Sequence, residues 1–269
     1  MRFLSPASRD ELVLSWLRSE WDRTQPSRRL VDQADLSDPR QNATRAQMLF
    51  RLRANIVREL PYHMRPDWVD IEKADLPHLY IVPCSEWYLD TGCTFRLADV
   101  PANLKAGRHP VDHLAKVDAI APSLADYEAA TTSEVLILNA ADRAGPYTII
   151  EGTHRAAALY GDHLRAPNLP WRAILVADPE IAHSPWHIES PQAKRTLNLC
   201  AWAALTSLTI TAFELMRCAD LRVQWLWWQE LRTSPAVELP GAVCADGEDV
   251  LGCCRGADRV LLPPRVAAD

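Results

Sequence analysis

The sequence predicts an α+β protein, a small mixed sheet with helices around it, and three observations carry that expectation. Short apolar runs of β-type composition, EVLILNA (134–140), YTII (147–150) and RAILVA (172–177), alternate with helical spacing through the middle of the chain. Ahead of them, Ser8 and Glu11 form an S-x-x-E capping box that opens a helical stretch. Behind them, about residues 191–232 read as a long helical region, broken or bent near Asp220. The expected organisation is an N-terminal helical segment (1–64), a core of strands and helices (65–180), a helical extension (181–233) and a loosely ordered tail (234–269).

The first helix runs through LVLSWLRSEW, with Leu12, Leu14, Trp16, Leu17 and Trp21 on its apolar side. Residues 24–42 are polar, carry Pro26 and Pro39, and read as a loop. A second helix is expected over about 43–60, with Met48, Leu49, Leu52, Ile56 and Val57 inward, and Pro61 ends it because proline disfavours helical geometry in the residue before it. LYIVP (79–83) and TFRLADV (94–100) read as strands, joined by a turn near Asp90, Thr91 and Gly92. VDHLAKVDAI (111–120) has helical spacing, EVLILNA suits an interior strand, and ADRAGP (141–146) is a turn into the strand YTII. A helix then begins around Thr153.

With 269 residues and 48% hydrophobic content, the chain is long enough for a sizeable core. Net charge is -6, which argues against general attraction to nucleic acid. Seven scattered cysteines without a CxxC argue against a disulfide framework or a zinc ribbon. The opening residues turn polar too soon for a secretory signal peptide, so a reducing cytoplasm is expected. The uncharged run 196–213 reaches the length of a membrane span, but four Thr, a Ser and an Asn dilute it, and a buried helix is favoured.

The chemistry concentrates in YTIIEGTHRAAAL (147–159). A strand delivers the chain to Glu151, Gly152 permits a tight turn and close ligand approach, and helix-forming AAAL follows at once. Residues 152–155 therefore stand at a helix N-terminus, where backbone N–H groups and the helix dipole favour a phosphate. Arg155 adds a planar charged fork, His154 hydrogen bonds, and Thr153 either a cap or an anion contact. Glu151 suits a metal ion or a substrate hydroxyl. Each residue also has a plain structural reading: Thr153 as N-cap, Arg155 in a surface ion pair, His154 as a satisfied histidine, Glu151 as a solvated strand end. Four polar, ligand-capable groups around one glycine weigh against reading all of them that way.

The pattern of apolar strand, acidic-Gly-x-His-Arg and small-residue helix, TIIEGTHRAAAL here, resembles the nucleotide-binding box of the ParB/sulfiredoxin superfamily. The order of elements before it is similar, and the likeness covers about residues 79–178. The resemblance implies that Gly152, Thr153, His154 and Arg155 contact nucleotide phosphates, that Glu151 holds the acidic position with Mg²⁺, and that Glu151 and His154 serve catalysis. Sulfiredoxins carry a catalytic cysteine where Thr153 stands, so sulfinic acid reduction is not expected. Chromosome-partitioning ParB proteins carry a Gly-Glu-Arg-Arg box and a helix-turn-helix domain, neither of which is found here, so DNA binding is not expected either. The free-serine kinases of this fold have a box closer to EGTHR and phosphorylate a small amino acid using a nucleotide and Mg²⁺. A further catalytic acid lies upstream in those kinases, for which Glu86 and Asp90 are the candidates in this chain. The resulting expectation is a protein that binds ATP or another nucleotide, with small-molecule kinase activity as one reading and a non-catalytic nucleotide-binding regulatory module as the alternative.

Other constellations are weaker. His183 and His187 have metal-like spacing, but Pro185 interrupts them and no third ligand is evident. His113 either faces the same cleft as the box or lies on the surface. Arg45, Arg51, Arg53 and Arg58 cover more than one side of their helix and read as a solvated face. The Trp225, Trp227 and Trp228 cluster reads as core or partner contact, and with its apolar surroundings raises self-association as an expectation.

Overall fold

The computed structural model describes residues 1–20, 29–57, 59–84, 87, 90–92, 94–105, 113–120, 135–163, 171–195 and 197–198. Glu86, most of the apolar run 196–213, the tryptophan cluster and the expected tail lie outside them.

Six strands, β1 (Arg2–Pro6), β2 (Pro66–Ile71), β3 (Leu79–Ile81), β4 (Leu136–Ala140), β5 (Tyr147–Glu151) and β6 (Trp171–Ala177), form one mixed sheet in the order β1-β2-β6-β4-β5-β3. The described α-helices include α1 (Arg9–Glu20), α2 (Arg29–Asp32), α3 (Pro39–Val57), α4 (Val100–Lys105), α5 (His113–Ile120) and α6 (Thr153–His163). This is the expected α+β arrangement.

β4 is the interior strand its apolar run predicts: all five residues are buried, between antiparallel β5 and parallel β6. The 141–146 turn is held by Asp142, whose side chain accepts from the Ala144 N–H, and by the Tyr147 hydroxyl, which donates to the Arg143 carbonyl at 2.8 Å. From β5 the chain passes into α6, which packs against α4, α5 and β4.

The capping box is present. The Glu11 N–H donates to Ser8 Oγ at 3.1 Å, and the Ser8 N–H donates to Glu11 Oε2 at 2.7 Å. Leu12 through Leu17 are all buried, so α1 is enclosed on most faces, and it packs against α3, whose Met48 and Leu49 are also buried. Burying a side chain of this size contributes about 1.5–3 kcal/mol.

Three local expectations are corrected. TFRLADV is not a strand: it forms a single bridge from Arg96 to Tyr80, then a 3₁₀ turn (Leu97–Asp99) that runs into α4. Thr94 sets this course, donating to Asp99 Oδ2 at 2.5 Å and accepting from the Arg96 N–H at 3.1 Å. Residues 24–42 are not all loop, since α2 lies there and α3 starts at Pro39. Nor is the α3 arginine set wholly a solvated face: Arg51 is exposed and Arg53 partly so, Arg58 lies outside the described residues, but Arg45 departs from the expectation. Arg45 is wholly buried, donating to the Leu30 and Asp35 carbonyls at 3.1 and 2.9 Å. Arg53 pairs with Glu20 at 2.5 Å, at the point where α3 departs from helical geometry (φ -135°, ψ 29°).

Strands β1 and β2 have no counterpart in the expectations. β1 is exposed along its length and pairs with β2, which is largely buried although it carries two aspartates. Asp67 meets Arg143 at 2.7 Å, and Asp70 meets Arg2 and Arg172. The first residues of the chain thus belong to the same sheet as the box strand.

Candidate functional site

The turn between β5 and α6 takes the form that the residue order dictates. Gly152 has φ +84°, a left-handed conformation that side chains resist. A Cβ there would come within 2.8 Å of Leu136 Cδ2 and 3.3 Å of Arg155 Nη1. The Gly152 carbonyl accepts the first helical bond, from the Ala156 N–H at 2.8 Å. Gly152 is therefore the N-cap residue and Thr153 is the first helical residue, one place further in than a cap. With no side chain, the cap residue itself offers no acceptor to the N–H groups of the first turn. Thr153 is buried, whereas His154 and Arg155 are half-buried. Arg155 Nη1 donates to the Val135 carbonyl at 3.3 Å, which holds the guanidinium against the start of β4.

His154 is drawn into an aromatic cluster. Its ring lies 4.9 Å from that of Trp87 and 5.0 Å from that of His113, edge-on to the latter. His113, at the first position of α5, stacks on Trp87 with centroids 4.4 Å apart. Nδ1 of His113 is 2.5 Å from Oδ2 of Asp90, and both side chains are buried. With Asp90 ionised, the imidazole proton sits on Nδ1 and Nε2 is the basic nitrogen. The segment that presents Trp87 and Asp90 is fixed by Thr91, whose hydroxyl donates to the Trp87 carbonyl at 2.8 Å.

Glu151 faces another way. Its Oε1 accepts from Ser19 Oγ at 3.0 Å, and its carboxyl hydrogen-bonds with that of Glu20 at the end of α1. Burial, then the charge of Glu20, then the bond between the two carboxyls push Glu151 up to about 8; Arg53 and Ser19 oppose the rise. Glu151 thus keeps its proton near neutral pH, while Arg53 anchors Glu20. Glu151 is therefore not the solvated strand end that one plain reading allowed.

The box residues are contiguous in space, as their sequence requires, and the structure adds Asp90, His113, Trp87, Glu20 and Ser19 to their surroundings. Of the two upstream acids, Asp90 reaches the first turn of α6 through His113, and Glu86 lies outside the described residues. His113 is the side chain that converges rather than a surface group.

His183 and His187 part company. His183 is exposed, while His187 is wholly buried with Nδ1 at 3.3 Å from both Asn139 Oδ1 and Thr148 Oγ1. Burial and the charge of Lys194 lower its pKa to about 4, so it is a neutral core histidine. Among the described residues, no helix is long and apolar enough to cross a membrane. No protein-family model, curated protein or solved structure matches this chain.

Proposed function

We propose that the chain binds a phosphate-bearing ligand, a nucleotide in the first reading, at the start of α6, and that it transfers phosphate to a small hydroxyl-bearing molecule. The observation that carries this reading is the convergence on His154 of the Asp90–His113 pair and Trp87, which come from two other segments of the chain. A turn that served only to start a helix needs no such surroundings.

The roles divide by chemistry. Gly152, Thr153 and the backbone of the first turn receive the phosphate, Arg155 balances its charge, and His154 donates a hydrogen bond. Asp90 orients His113, whose basic nitrogen is of the type that accepts a hydroxyl proton. Glu151, turned toward Glu20, offers hard carboxylate oxygens of the kind that suit Mg²⁺, and a bound ion would replace the proton that Glu151 holds.

The alternative is a regulatory module that holds the nucleotide without transferring phosphate. Glu151 favours it: a carboxyl bonded to Ser19 and Glu20 and neutral near pH 7 is neither a base nor a metal ligand until that proton leaves.

Calorimetry with ATP, ADP and CTP, each with Mg²⁺, on the wild type and Arg155→Ala tests the reading. Binding lost in the variant supports an anion site at the start of α6, and turnover of a hydroxyl acceptor would then separate kinase from module. Absence of binding to the wild type removes both.

A further inference from the structure

At the far end of the β2–β6 pair, away from the box, three side chains of different elements face one another. His63 lies in the turn before β2, and Asp178 and Glu180 lie just after β6. Because β2 and β6 pair in fixed register from Pro66↔Val176 to Ile71↔Trp171, the two approaches are held side by side. One ligand atom from each of the three side chains lies within 4.8 Å of the others.

Asp178 is the fixed member. Its N–H donates to the Ala140 carbonyl at 3.0 Å, and its Oδ1 accepts from the Glu180 N–H at 2.9 Å. Those bonds leave Oδ2 directed at His63 Nε2, 3.4 Å away, a separation long for a hydrogen bond. It is close to the spacing of two ligands on one first-row cation, whose bonds are about 2.0–2.2 Å. Glu180 brings a second carboxylate to the same point, and two such charges this near repel unless a cation lies between them.

We propose that His63, Asp178 and Glu180 bind a divalent first-row transition-metal ion of the Zn²⁺, Co²⁺ or Ni²⁺ type. One imidazole nitrogen with two carboxylate oxygens selects this class over Mg²⁺ and Ca²⁺, which prefer oxygen throughout. Three protein ligands leave positions for water. The ion ties the chain entering β2 to the chain leaving β6 and so staples that end of the sheet.

The test is Co²⁺ titration of the full chain followed by visible absorption, with Zn²⁺ as competitor, on wild type, His63→Ala and Asp178→Asn. His63 is exposed, and asparagine keeps an oxygen for the Glu180 N–H, so both variants should fold. The expected result is a cobalt d–d spectrum displaced by one equivalent of Zn²⁺, with affinity at least about tenfold weaker in each variant. Zn²⁺ should raise the melting temperature of the wild type and not that of His63→Ala. Absence of a cobalt spectrum, one unchanged in His63→Ala, or one dominated by sulfur-to-cobalt charge transfer from the cysteines would each overturn the proposal.

Discussion

His113 Nδ1 donates a buried hydrogen bond to Asp90 Oδ2 at 2.5 Å, and the ring of Trp87 stacks on the same imidazole. Removing the carboxylate leaves a buried imidazole N–H without its acceptor, at a cost of about 1.5–3 kcal/mol. Asp90→Ala should therefore lower stability by that amount in urea unfolding. A loss below about 1 kcal/mol would show that the pair does not hold α5 to the Trp87 segment.

Gly152→Ala combines a positive φ with a Cβ at 2.8 Å from Leu136 Cδ2. The left-handed conformation alone costs about 1–2 kcal/mol for a residue with a side chain, and the clash adds to it. Unfolding measurements should show a loss larger than for Ala156→Gly in the same helix, for which about 1 kcal/mol is expected. If ligand binds at the turn, affinity should fall even under conditions where the variant is fully folded.

The Glu151–Glu20 pair makes stability depend on pH. Folding raises Glu151 from 4.5 to about 8, so between those values the folded chain holds a proton that the unfolded chain has released. The stabilisation is complete below about pH 4.5 and is lost as pH rises to about 8. Glu151→Gln should be flatter than wild type over that window, and relatively more stable at pH 9 than at pH 5. Parallel profiles for the two proteins would disprove the proton held on Glu151.

His187 acts in the opposite sense. Its pKa falls from 6.5 to about 4 on folding, so the unfolded chain binds the extra proton and stability drops as pH falls through that interval. His187→Gln should lessen the acid loss while costing stability near pH 7, because Asn139 and Thr148 lose their fitted partner. Urea midpoints at pH 4.5 and 7.5 give the comparison.

Much of the core could be read from local signals. The apolar run of β4, the turn at 141–146, the glycine before α6 and the Ser8–Glu11 box each depend on neighbours in sequence. The strands that escaped notice depend on partners far away. β2 reads as too acidic for an interior strand until Arg2, Arg143 and Arg172 arrive to offset Asp67 and Asp70. The site follows the same division. EGTHR announces itself, whereas Glu20, Ser19 and Trp87 carry no local signature and join it only through tertiary packing. TFRLADV was misleading because Phe95 and Leu97 are buried as strand residues would be, while Thr94 bends the backbone out of the sheet.

Trp87, stacked on His113 and tilted against His154, gives this protein an optical probe that no label has to supply. Indole emission responds to the position and charge of a neighbouring imidazole, so occupation of the α6 start should shift the light from this one ring. With ten tryptophans in the chain, the difference spectrum between wild type and Trp87→Phe isolates that signal.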